Sequence, residues 1–444
     1  MTREGGHFRG RGGALAAPLR IPAFRRLWAA DVISLMGDWA GRLALTVIVL
    51  ERTGSPGWAA AVTAVSLAGF VGIGQVLATL ADRFGRISVM LVADVVRAAC
   101  FFAMLADLPV WALLGLAFLA GVATPPFEAA RSAAIPDLVP PGRYGDALAL
   151  AGISVQASVV LGSVLGGGLL ILVGAQTALT INASTYVVSG LLLLRLRHTA
   201  AAAPSGERRT VAHSLRAGAA NLFGDDLMRR AMTIITITGA LGTVDEALVV
   251  PYADRVGISH GMLGLLAAAI PVGTIIGTAI IPTTASHERL LRGASLCALV
   301  TAAAAAPLFW FEVGSVGAFL AFVISGGMFA VSIPTNVVIG TRLRRGSRAS
   351  AMGIAVGILM GSQALGALVG GAVASVIGPA HAISGALTLA AGFSAWAFLT
   401  SPYEAKHLSR VRGVSVPNES TVVDLPALER EPEPSLDVPR MAAS

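Results

Sequence analysis

Few of the side chains that build catalytic or metal-binding centres occur in this sequence of 444 residues. It has seven histidines and two cysteines, and only 13% of its residues are charged. The histidines fall in the tails or at the ends of apolar segments, without metal-ligand spacing and without an accompanying nucleophile motif. We therefore expect no enzymatic activity, no metal site and no cofactor. Because a phosphate-binding glycine loop is also missing, a pump driven by nucleotide hydrolysis is not expected.

The basic character of the chain has a topological explanation. Its formal net charge is +7, but the arginines are spread over the connections on one side of the apolar segments, so nucleic acid is not an expected partner. By the positive-inside rule this side is the cytoplasm, and both termini lie there.

Cys100 and Cys297 lie inside apolar segments and are expected to pack as small side chains without forming a disulfide. Residues 1–23 lack an apolar stretch, so we expect no cleavable signal peptide.

Hydrophobic residues, by contrast, make up 55% of the chain, and the mean hydropathy is +0.76. These values lie outside the range of ordinary soluble domains. An apolar segment of about 20 residues is long enough to cross a hydrocarbon core about 30 Å thick. The sequence predicts twelve such spans, at about residues 27–50, 58–81, 87–106, 110–130, 147–173, 176–196, 231–253, 260–283, 290–309, 314–338, 351–377 and 379–400.

The second half of the sequence repeats the first at a constant offset of 204 residues. Gly57 falls on Gly261, for example, and a cluster of small residues recurs as well. That cluster consists of Gly162, Gly166, Gly167, Gly366, Gly370 and Gly371. Since each half holds six spans, an even number, the repeat is parallel, with its axis along the membrane normal. We therefore predict an all-α membrane protein of two parallel six-helix pseudo-repeats, an architecture typical of transporters.

The composition outside the spans divides the chain into five parts. We predict a flexible cytoplasmic arm at 1–23, an N-terminal six-helix bundle at 24–197, a cytoplasmic linker at 198–228, a C-terminal bundle at 229–402 and a disordered cytoplasmic tail at 403–444. The linker is expected to contain a short surface helix near residues 213–223. The protein is expected to be a multi-pass protein of the cell membrane, in contact with the lipid bilayer.

The connection between the second and third spans carries a charged motif. Asp82, Arg83, Gly85 and Arg86 match the loop signature G-x-x-x-D-R-x-G-R of the major facilitator superfamily, which the chain resembles, and Ala78 stands at its first glycine. The resemblance implies that these residues form charge pairs with neighbouring helix ends, which break and re-form as the two halves rock. It also implies a monomer.

Two further motifs resemble the same superfamily. Gly162, Gly166 and Gly167 resemble its antiporter signature G-P-x-x-G-G, with Ser163 at the proline position. Small residues four apart let two helices approach closely in lipid. Both simple helix packing and a hinge specific to exporters are therefore open interpretations of this cluster and its second copy.

The end of the fourth span resembles one branch of the superfamily, which contains enterobactin exporters and macrolide efflux proteins. The similar stretches are Pro126-Phe127-Glu128-Ala129-Ala130-Arg131, Ile135-Pro136-Asp137-Leu138-Val139-Pro140 and, in span one, Met36-Gly37-Asp38-Trp39. The resemblance covers nearly all of residues 20–402. Glu128 and Arg131 are expected to latch onto the loop that contains Asp82. Many proton antiporters carry an arginine in the middle of span four, where this chain has Leu116 and Ala117.

Ionisable residues inside the spans are the candidates for energy coupling. Asp31, Asp38 and Arg42 are seven and four residues apart, which places them within about 40° on a helix. A charge at mid-bilayer costs about 2.5–3.5 kcal/mol on insertion scales, so such residues face a cavity or a partner. Asp38 and Arg42 are spaced to pair with each other. Asp94 and Arg97 in span three are also expected to satisfy each other.

The repeat places Glu246, 204 positions after Arg42, at a similar depth on the facing helix. Asp245 is turned by about 100° from Glu246, so the two acids cannot meet one partner. Our hypothesis is that Asp38, Arg42 and Glu246 line a central cavity, where one carboxylate takes up and releases a proton. With Asp245 they form the predicted proton-coupling group. The alternative is a static salt bridge between helices.

In the superfamily, the cavity is lined mainly by spans one, four, seven and ten. The candidates here are Trp39, Phe118, Thr124, Phe322, Ser332, Thr335 and Asn336. Aromatic side chains with few polar groups suit a large amphiphilic molecule better than a sugar. For each aromatic residue, packing or lipid contact is the alternative.

The sequence thus predicts a secondary transporter that exports a hydrophobic or amphiphilic small molecule, such as a drug, antibiotic or siderophore, by alternating access in exchange for protons. Uptake or lipid transport by the same fold is the first alternative. A non-transporting membrane receptor or scaffold is an alternative of another class.

Overall fold

Helices build the part of the chain that the computed structural model describes, which is residues 16–72, 77, 85–196, 211–281, 286–311, 314–343 and 348–401. Residues 1–15 of the arm predicted at 1–23, Asp82, Arg83 and the predicted tail at 403–444 lie outside the described residues. No strand occurs among the described residues, so the all-α prediction is confirmed. Both cysteines are free thiols, and Cys100 is buried.

Five long or medium helices build the described part of the first half. They are α1 Pro22–Thr53, α2 Pro56–Ala68, α3 Arg86–Ala103, α4 Val110–Leu138 and α5 Tyr144–Leu194. α1 begins with a proline at its first position and ends at Gly54, whose left-handed φ of 60° lets its N–H donate to the Leu50 carbonyl at 2.7 Å. α4 continues eight residues beyond the predicted span, through Pro136. Membrane helices tolerate such prolines because neighbouring groups satisfy the freed backbone carbonyls.

α5 contains two of the predicted spans. Its backbone leaves the helical region at Gly174, where φ is 77°, so the helix has two arms joined by a kink. The equivalent position of the second half, Gly378, has φ 89° and separates two helices. Only glycine adopts such angles readily, which explains why the same residue recurs at both turns.

A linker helix and seven further helices follow. They are α6 Val211–Phe223, α7 Asp226–Arg255, α8 His260–Ile280, α9 His287–Trp310, α10 Ser315–Gly326, α11 Ser332–Arg342, α12 Arg348–Ile377 and α13 Pro379–Leu399, with a 3-10 segment Gly327–Val331 between α10 and α11. Predicted span ten is therefore a broken helix made of α10 and α11. α6 agrees with the short helix expected in the linker.

Nine helical stretches among the described residues are long and apolar enough to cross a membrane, which agrees with a multi-pass membrane protein. One of them contains both arms of α5. α2 is shorter, and the chain after Gly72 is described only in part. The number of twelve spans and the boundaries of the five predicted parts stay predictions.

Helix contacts repeat at the sequence offset. A Cβ placed on Gly166 of α5 would lie 2.8 Å from the Cα of Ala40 on α1. The equivalent Gly370 of α12 approaches Val244 on α7, and its added Cβ would lie 2.6 Å from a Val244 methyl group. Each pair is 204 positions from the other. The two halves are thus built alike in packing as well as in sequence.

Small residues also join the two halves to each other. The N–H of Gly57 on α2 donates to Ser375 Oγ on α12 at 3.0 Å. A Cβ on Gly167 of α5 would lie 2.4 Å from the backbone nitrogen of Gly264 on α8. These contacts lie toward the end of the bundle at which α1 finishes. We call that end the far face, and the opposite end, where α1 and α7 begin, the near face.

Candidate functional site

Two charged side chains join the halves in the middle of α1 and α7. Arg42 Nη1 lies 3.3 Å from Glu246 Oε1, and the two side chains are 20% and 25% exposed. The Arg42 guanidinium also stacks over the Trp39 ring, 3.9 Å from its centroid. This is the facing position that the repeat predicts, and the role of the pair in coupling stays a prediction.

Asp38 belongs to a network inside the first half. Its carboxylate accepts a hydrogen bond from the Tyr186 hydroxyl of α5 and lies 3.7 Å from Arg97 of α3. Arg97 is 3% exposed and also donates to Asp94 at 2.6 Å, as the sequence predicts. The predicted pairing of Asp38 with Arg42 is wrong, because these two side chains turn to different helices.

Arg97 is enclosed by aromatic rings as well as by carboxylates. Its guanidinium lies 4.4 Å from the ring centroid of Phe127 and 4.7 Å from that of Tyr186. Ser189 Oγ donates to the second oxygen of Asp94 at 2.7 Å. Sequence reasoning missed Tyr186 and Ser189, because a lone polar residue in an apolar span has no spacing that indicates its partner.

The third charge of α1 also has a partner on another helix. Arg131 Nη1 of α4 lies 2.5 Å from Asp31 Oδ2, and the two side chains are 17% and 12% exposed. The predicted latch of Arg131 onto the loop that contains Asp82 stays a prediction, because Asp82 lies outside the described residues. Glu128, one turn earlier on α4, is exposed and forms no ion pair with another described residue.

Asp245 lies in the interior of the second half, not in a central cavity. It is 1% exposed, and neither carboxylate oxygen meets a hydrogen-bond partner among the described residues. Ser325 of α10 lies close to it, but the Ser325 hydroxyl donates to the Phe322 carbonyl at 3.1 Å. The two adjacent acids thus diverge, as their 100° separation on the helix predicts, and a role of Asp245 in proton coupling stays a prediction.

Two of the predicted cavity residues are core residues. Phe322 is fully buried in an aromatic cluster with Tyr252 and Phe309, at centroid distances of 5.5 and 4.9 Å. Thr335 is also fully buried and donates to the Val331 carbonyl at 2.7 Å. Both were predicted from span position alone, which does not show which face of span ten is turned inward.

The other candidates have different surroundings. Phe118 is 37% exposed and shares an apolar face of α4 with Trp111 and Leu119, which is typical of a lipid-facing surface. Thr124 is half-buried and donates to the Ala120 carbonyl at 3.2 Å. Trp39 and Ser332 are half-buried, and Asn336 is exposed. Of the set, Trp39 is the one that contacts the Arg42–Glu246 pair.

The near face holds ionic contacts at helix ends. Gly85 precedes α3, and Arg86 forms an ion pair with Asp137 at the end of α4. In the second half, His287 Nε2 lies 3.1 Å from Thr341 Oγ1, which is the position equivalent to Asp137. A histidine–threonine hydrogen bond thus stands at this helix end in the second half, where Leu290 takes the position of Arg86. Whether Arg86 acts in gating stays a prediction.

Asp225 caps α7 at the near face. Its carboxylate accepts from the N–H groups of Leu227 and Met228, at 2.8 and 3.1 Å. Arg342, at the end of α11, donates to its other oxygen at 2.7 Å. Burial opposes the charged form, but these hydrogen bonds outweigh it and hold the pKa of Asp225 below its ordinary value.

The six predicted hinge glycines all lie inside helices at close contacts. On Gly162 and Gly366, an added Cβ would lie 2.7 and 2.0 Å from the carbonyl oxygens of Met36 and Ala240. None of the six has a left-handed φ. This geometry agrees with helix packing, and a hinge specific to exporters stays a prediction.

A cavity of about 560 Å³ opens at the far face, between the ends of α1 and α7. It lies beyond the Arg42–Glu246 pair, toward the helix ends. Its lining consists of Val47, Leu50, Glu51, Gly54, Val250, Asp254, Gly257, Ile258, Ser259 and Leu263. Sequence reasoning did not identify these residues. In the described part of the chain, no group of three or more His, Cys, Asp or Glu side chains is arranged to hold a metal.

Comparison with known proteins finds a matching family profile, similar sequences and similar solved structures. The sequence profile of the Major Facilitator Superfamily matches residues 27–356. The MFS-type transporter YfiS of Bacillus subtilis (strain 168) is 26% identical over 171 residues, 38% of this chain and 41% of that protein. Macrolide efflux protein A of Streptococcus pyogenes is 30% identical over 125 residues, 26% of this chain and 30% of that protein. The matched segments span less than half of either relative.

Solved transporter structures share the fold. A mutant of the nucleoside transporter NupG has a TM-score of 0.64 at 17% identity, covering 85% of this chain and 98% of that chain. A POT family transporter in complex with 5-aminolevulinic acid has a TM-score of 0.70 at 12% identity, covering 85% and 96%. A bacterial homologue of the human lysosomal transporter Spinster, in an inward-facing conformation, has a TM-score of 0.64 at 15% identity, covering 86% and 99%.

Proposed function

The chain belongs to the major facilitator superfamily, and on that premise we propose that it exports an amphiphilic small molecule in exchange for protons. The near face is then cytoplasmic and the far face external, as the distribution of arginines suggests. Transport proceeds by alternating access, with the two pseudo-repeats rocking about the middle of the membrane.

The Arg42–Glu246 ion pair is the observation that carries the proposal. It connects the two halves, so any rocking motion changes the distance between its charges. Both side chains are partly exposed, which gives water and protons access to the carboxylate. When Glu246 takes up a proton, the attraction to Arg42 is lost and the halves are free to separate.

Asp38 is the second carboxylate with access to water, since its side chain is 29% exposed. It shares Arg97 with Asp94, so its proton uptake leaves Arg97 with one ionised partner instead of two. Moving one charge across the membrane potential is worth about 2.3 kcal/mol per 100 mV, enough to bias a conformational cycle. Asp38 and Glu246 are thus the proposed proton carriers, and their charges act on Arg97 and Arg42, respectively.

An amphiphilic substrate fits the surroundings of the pair. The Trp39 ring offers a flat apolar surface beside it, and polar side chains are few along α1 between Leu43 and Leu50. The similarity to a macrolide efflux protein supports the same class and the outward direction. A sugar-like substrate would need a wall of hydrogen-bonding side chains.

Transport in inside-out vesicles tests the proposal. We expect a pH gradient to drive movement of some members of a panel of dyes, antibiotics and siderophores, and a protonophore to stop it. Glu246→Gln should remove this dependence on the gradient. Asp107→Asn is the matched control, because the Asp107 side chain is 98% exposed at a helix connection. Transport by Glu246→Gln that keeps the wild-type response to the protonophore would contradict proton exchange through this pair.

The alternatives predict other outcomes. For an exporter, cells lacking the protein accumulate more of a fluorescent substrate, whereas for an uptake carrier they accumulate less. A lipid transporter moves a labelled phospholipid between leaflets of proteoliposomes. A receptor or scaffold moves none of these molecules.

A further inference from the structure

The far-face cavity combines apolar walls with acidic side chains. Val47 and Leu50 of α1 and Val250 of α7 are buried residues along its wall, and Ile258 and Leu263 continue the wall toward α8. A volume of about 560 Å³ lies in the range of about 300–1,000 Å³ that is common for sites of drug-sized ligands. Both halves contribute to it, so its shape depends on how the halves are arranged.

Two carboxylates lie at the rim of this cavity. Glu51 is in the last turn of α1 and Asp254 in the last turn of α7, and both are exposed. Neither forms an ion pair or side-chain hydrogen bond with another residue in the described ranges. The neighbouring Arg52 is turned away, since it donates to the Leu108 carbonyl at 2.7 Å and lies 3.2 Å from Asp107. Arg255 is not among the residues that line the cavity.

Below the cavity floor, Arg42, Arg97 and Arg131 all have carboxylate partners. Glu246 lies one helical turn before Val250 on α7, deeper in the protein, and already has Arg42 as its partner. Asp245 is buried with both oxygens unpartnered among the described residues. Arg97 and Arg131 are both engaged with carboxylates of the first half. Each of these three arginines is thus already paired with a carboxylate, which disfavours an anionic ligand.

We propose that the far-face cavity is a binding site for a lipophilic cation, distinct from the central ion pair. Glu51 and Asp254 attract the positive group, and the valine, leucine and isoleucine wall covers the apolar body. The site rests on the proposed function in one respect, because an exported cation would leave the protein through it. A metal ion fits less well, since hard cations need six or more oxygen ligands and the wall is mostly apolar.

Binding of two ions of the same shape and opposite charge tests the site. Tetraphenylphosphonium and tetraphenylborate are measured on the full chain in nanodiscs, with empty nanodiscs subtracted. We expect at least about tenfold tighter binding of the cation. Glu51→Gln and Asp254→Asn should each weaken its binding about three- to fivefold, and the double variant about tenfold or more, because two partly exposed charges act on one ligand.

Three control variants show whether the two rim carboxylates themselves bind the cation. Glu51→Asp should keep most of the affinity, and Asp107→Asn, the same change of charge outside the cavity, should keep all of it. Asp38→Asn, which leaves the Arg42–Glu246 pair between the halves intact, should leave binding at the far face in place. Equal affinity for the two ions, or unchanged cation binding in the Glu51→Gln, Asp254→Asn double variant, would overturn the proposal.

The binding and transport measurements together distinguish the cation site from the proposed function. If cation binding depends on Glu51 and Asp254 while no compound is moved by a pH gradient, the cavity site stands and proton-driven export fails. If gradient-driven export is observed but only uncharged compounds bind, export stands and the cation site fails.

Discussion

α1 distributes its three interior charges over three other helices. Asp31 binds Arg131 of α4, Asp38 approaches Arg97 of α3, and Arg42 crosses to α7 in the other half. Two of these contacts stay within the first half, and one leaves it. A single helix thus contacts α3, α4 and the other half through its charged side chains.

Replacing each of the two adjacent acids of α7 by its amide should affect the stability of the protein differently. Glu246→Gln leaves Arg42 without its partner, so we expect a loss of about 1–2 kcal/mol in the free energy of unfolding, between the values for exposed and buried pairs. Asp245→Asn removes a buried carboxyl group that has no partner among the described residues, and it should change stability by less than about 0.5 kcal/mol or raise it. Thermal unfolding of both variants in one detergent measures the difference. A larger loss for Asp245→Asn than for Glu246→Gln would contradict these assignments.

Asp225 should give the near face a pH-dependent contribution to stability. Its pKa is lowered in the folded protein, so the cap stabilises at pH values above the ordinary aspartate pKa of about 4 and is lost as the pH falls through the folded value. Asp225→Ala should cost about 1 kcal/mol at pH 7. Asp225→Asn keeps a capping side chain and loses the charge that faces Arg342, so it is the control that separates the charge from the cap itself.

The measurement is the unfolding midpoint of the three proteins at pH 7 and at the lowest pH at which each stays folded. The difference between wild type and Asp225→Ala should shrink on acidification. A difference that stays constant with pH would show that the carboxylate charge contributes nothing to the cap.

Residue pairs between different helices were predictable only where the repeat specified both members, whereas the Asp94–Arg97 pair followed from spacing on one helix. The offset of 204 relates Arg42 to Glu246 directly, and their contact followed from it. The partners of Asp38 and Arg131 did not follow, because helix spacing favours neighbours one turn apart and says nothing about helices that meet in space. Phe322 and Thr335 were misplaced for the same reason, since the inward face of a span that is apolar all round has no sequence signal.

At the scale of helices, close packing depends on glycines that leave no room for a side chain. We expect Gly366→Ala to destabilise the protein by about 1–3 kcal/mol, the usual cost of overpacking, because its Cβ would lie 2.0 Å from the Ala240 carbonyl oxygen. Gly168→Ala, on α5 beside Gly167, is the control. An added Cβ there meets nothing within 4 Å, so the change should be neutral or stabilise by up to about 1 kcal/mol.

Unfolding in detergent, followed by tryptophan fluorescence, measures both variants. Equal destabilisation by the two substitutions would show that glycine matters here for its flexibility and not for its size. Transport by Gly366→Ala, compared at equal amounts of folded protein, then separates packing from a hinge. Normal transport by the folded fraction supports packing alone.

Helices were predicted well where one apolar segment corresponds to one continuous helix. The boundaries of α7 and α13 lie within a few residues of the expected ones. The sequence did not predict the break of span ten at Gly327–Val331 or the continuation of α4 through Pro136. Glycine and proline permit these departures in membrane helices, but tertiary packing decides which position is used.

At the scale of the whole molecule, contacts between the halves are themselves duplicated. Gly57 approaches Ser375, and 204 positions away Gly261 approaches Ile171. Two equivalent contacts thus join the halves near the far face. In alternating access these contacts must open whenever the far face opens.

A cross-link at one of these contacts should therefore stop transport. A Cβ on Gly57 would lie 2.7 Å from Ser375 Oγ, close enough for a disulfide between cysteines at the two positions. We expect Gly57→Cys with Ser375→Cys, in a background with Cys100→Ala and Cys297→Ala, to lose transport on oxidation and to regain it on reduction. Each single cysteine variant under the same oxidant is the control. Because the bond connects the two pseudo-repeats, full transport by a completely cross-linked protein would contradict the rocking of one half against the other at the far face.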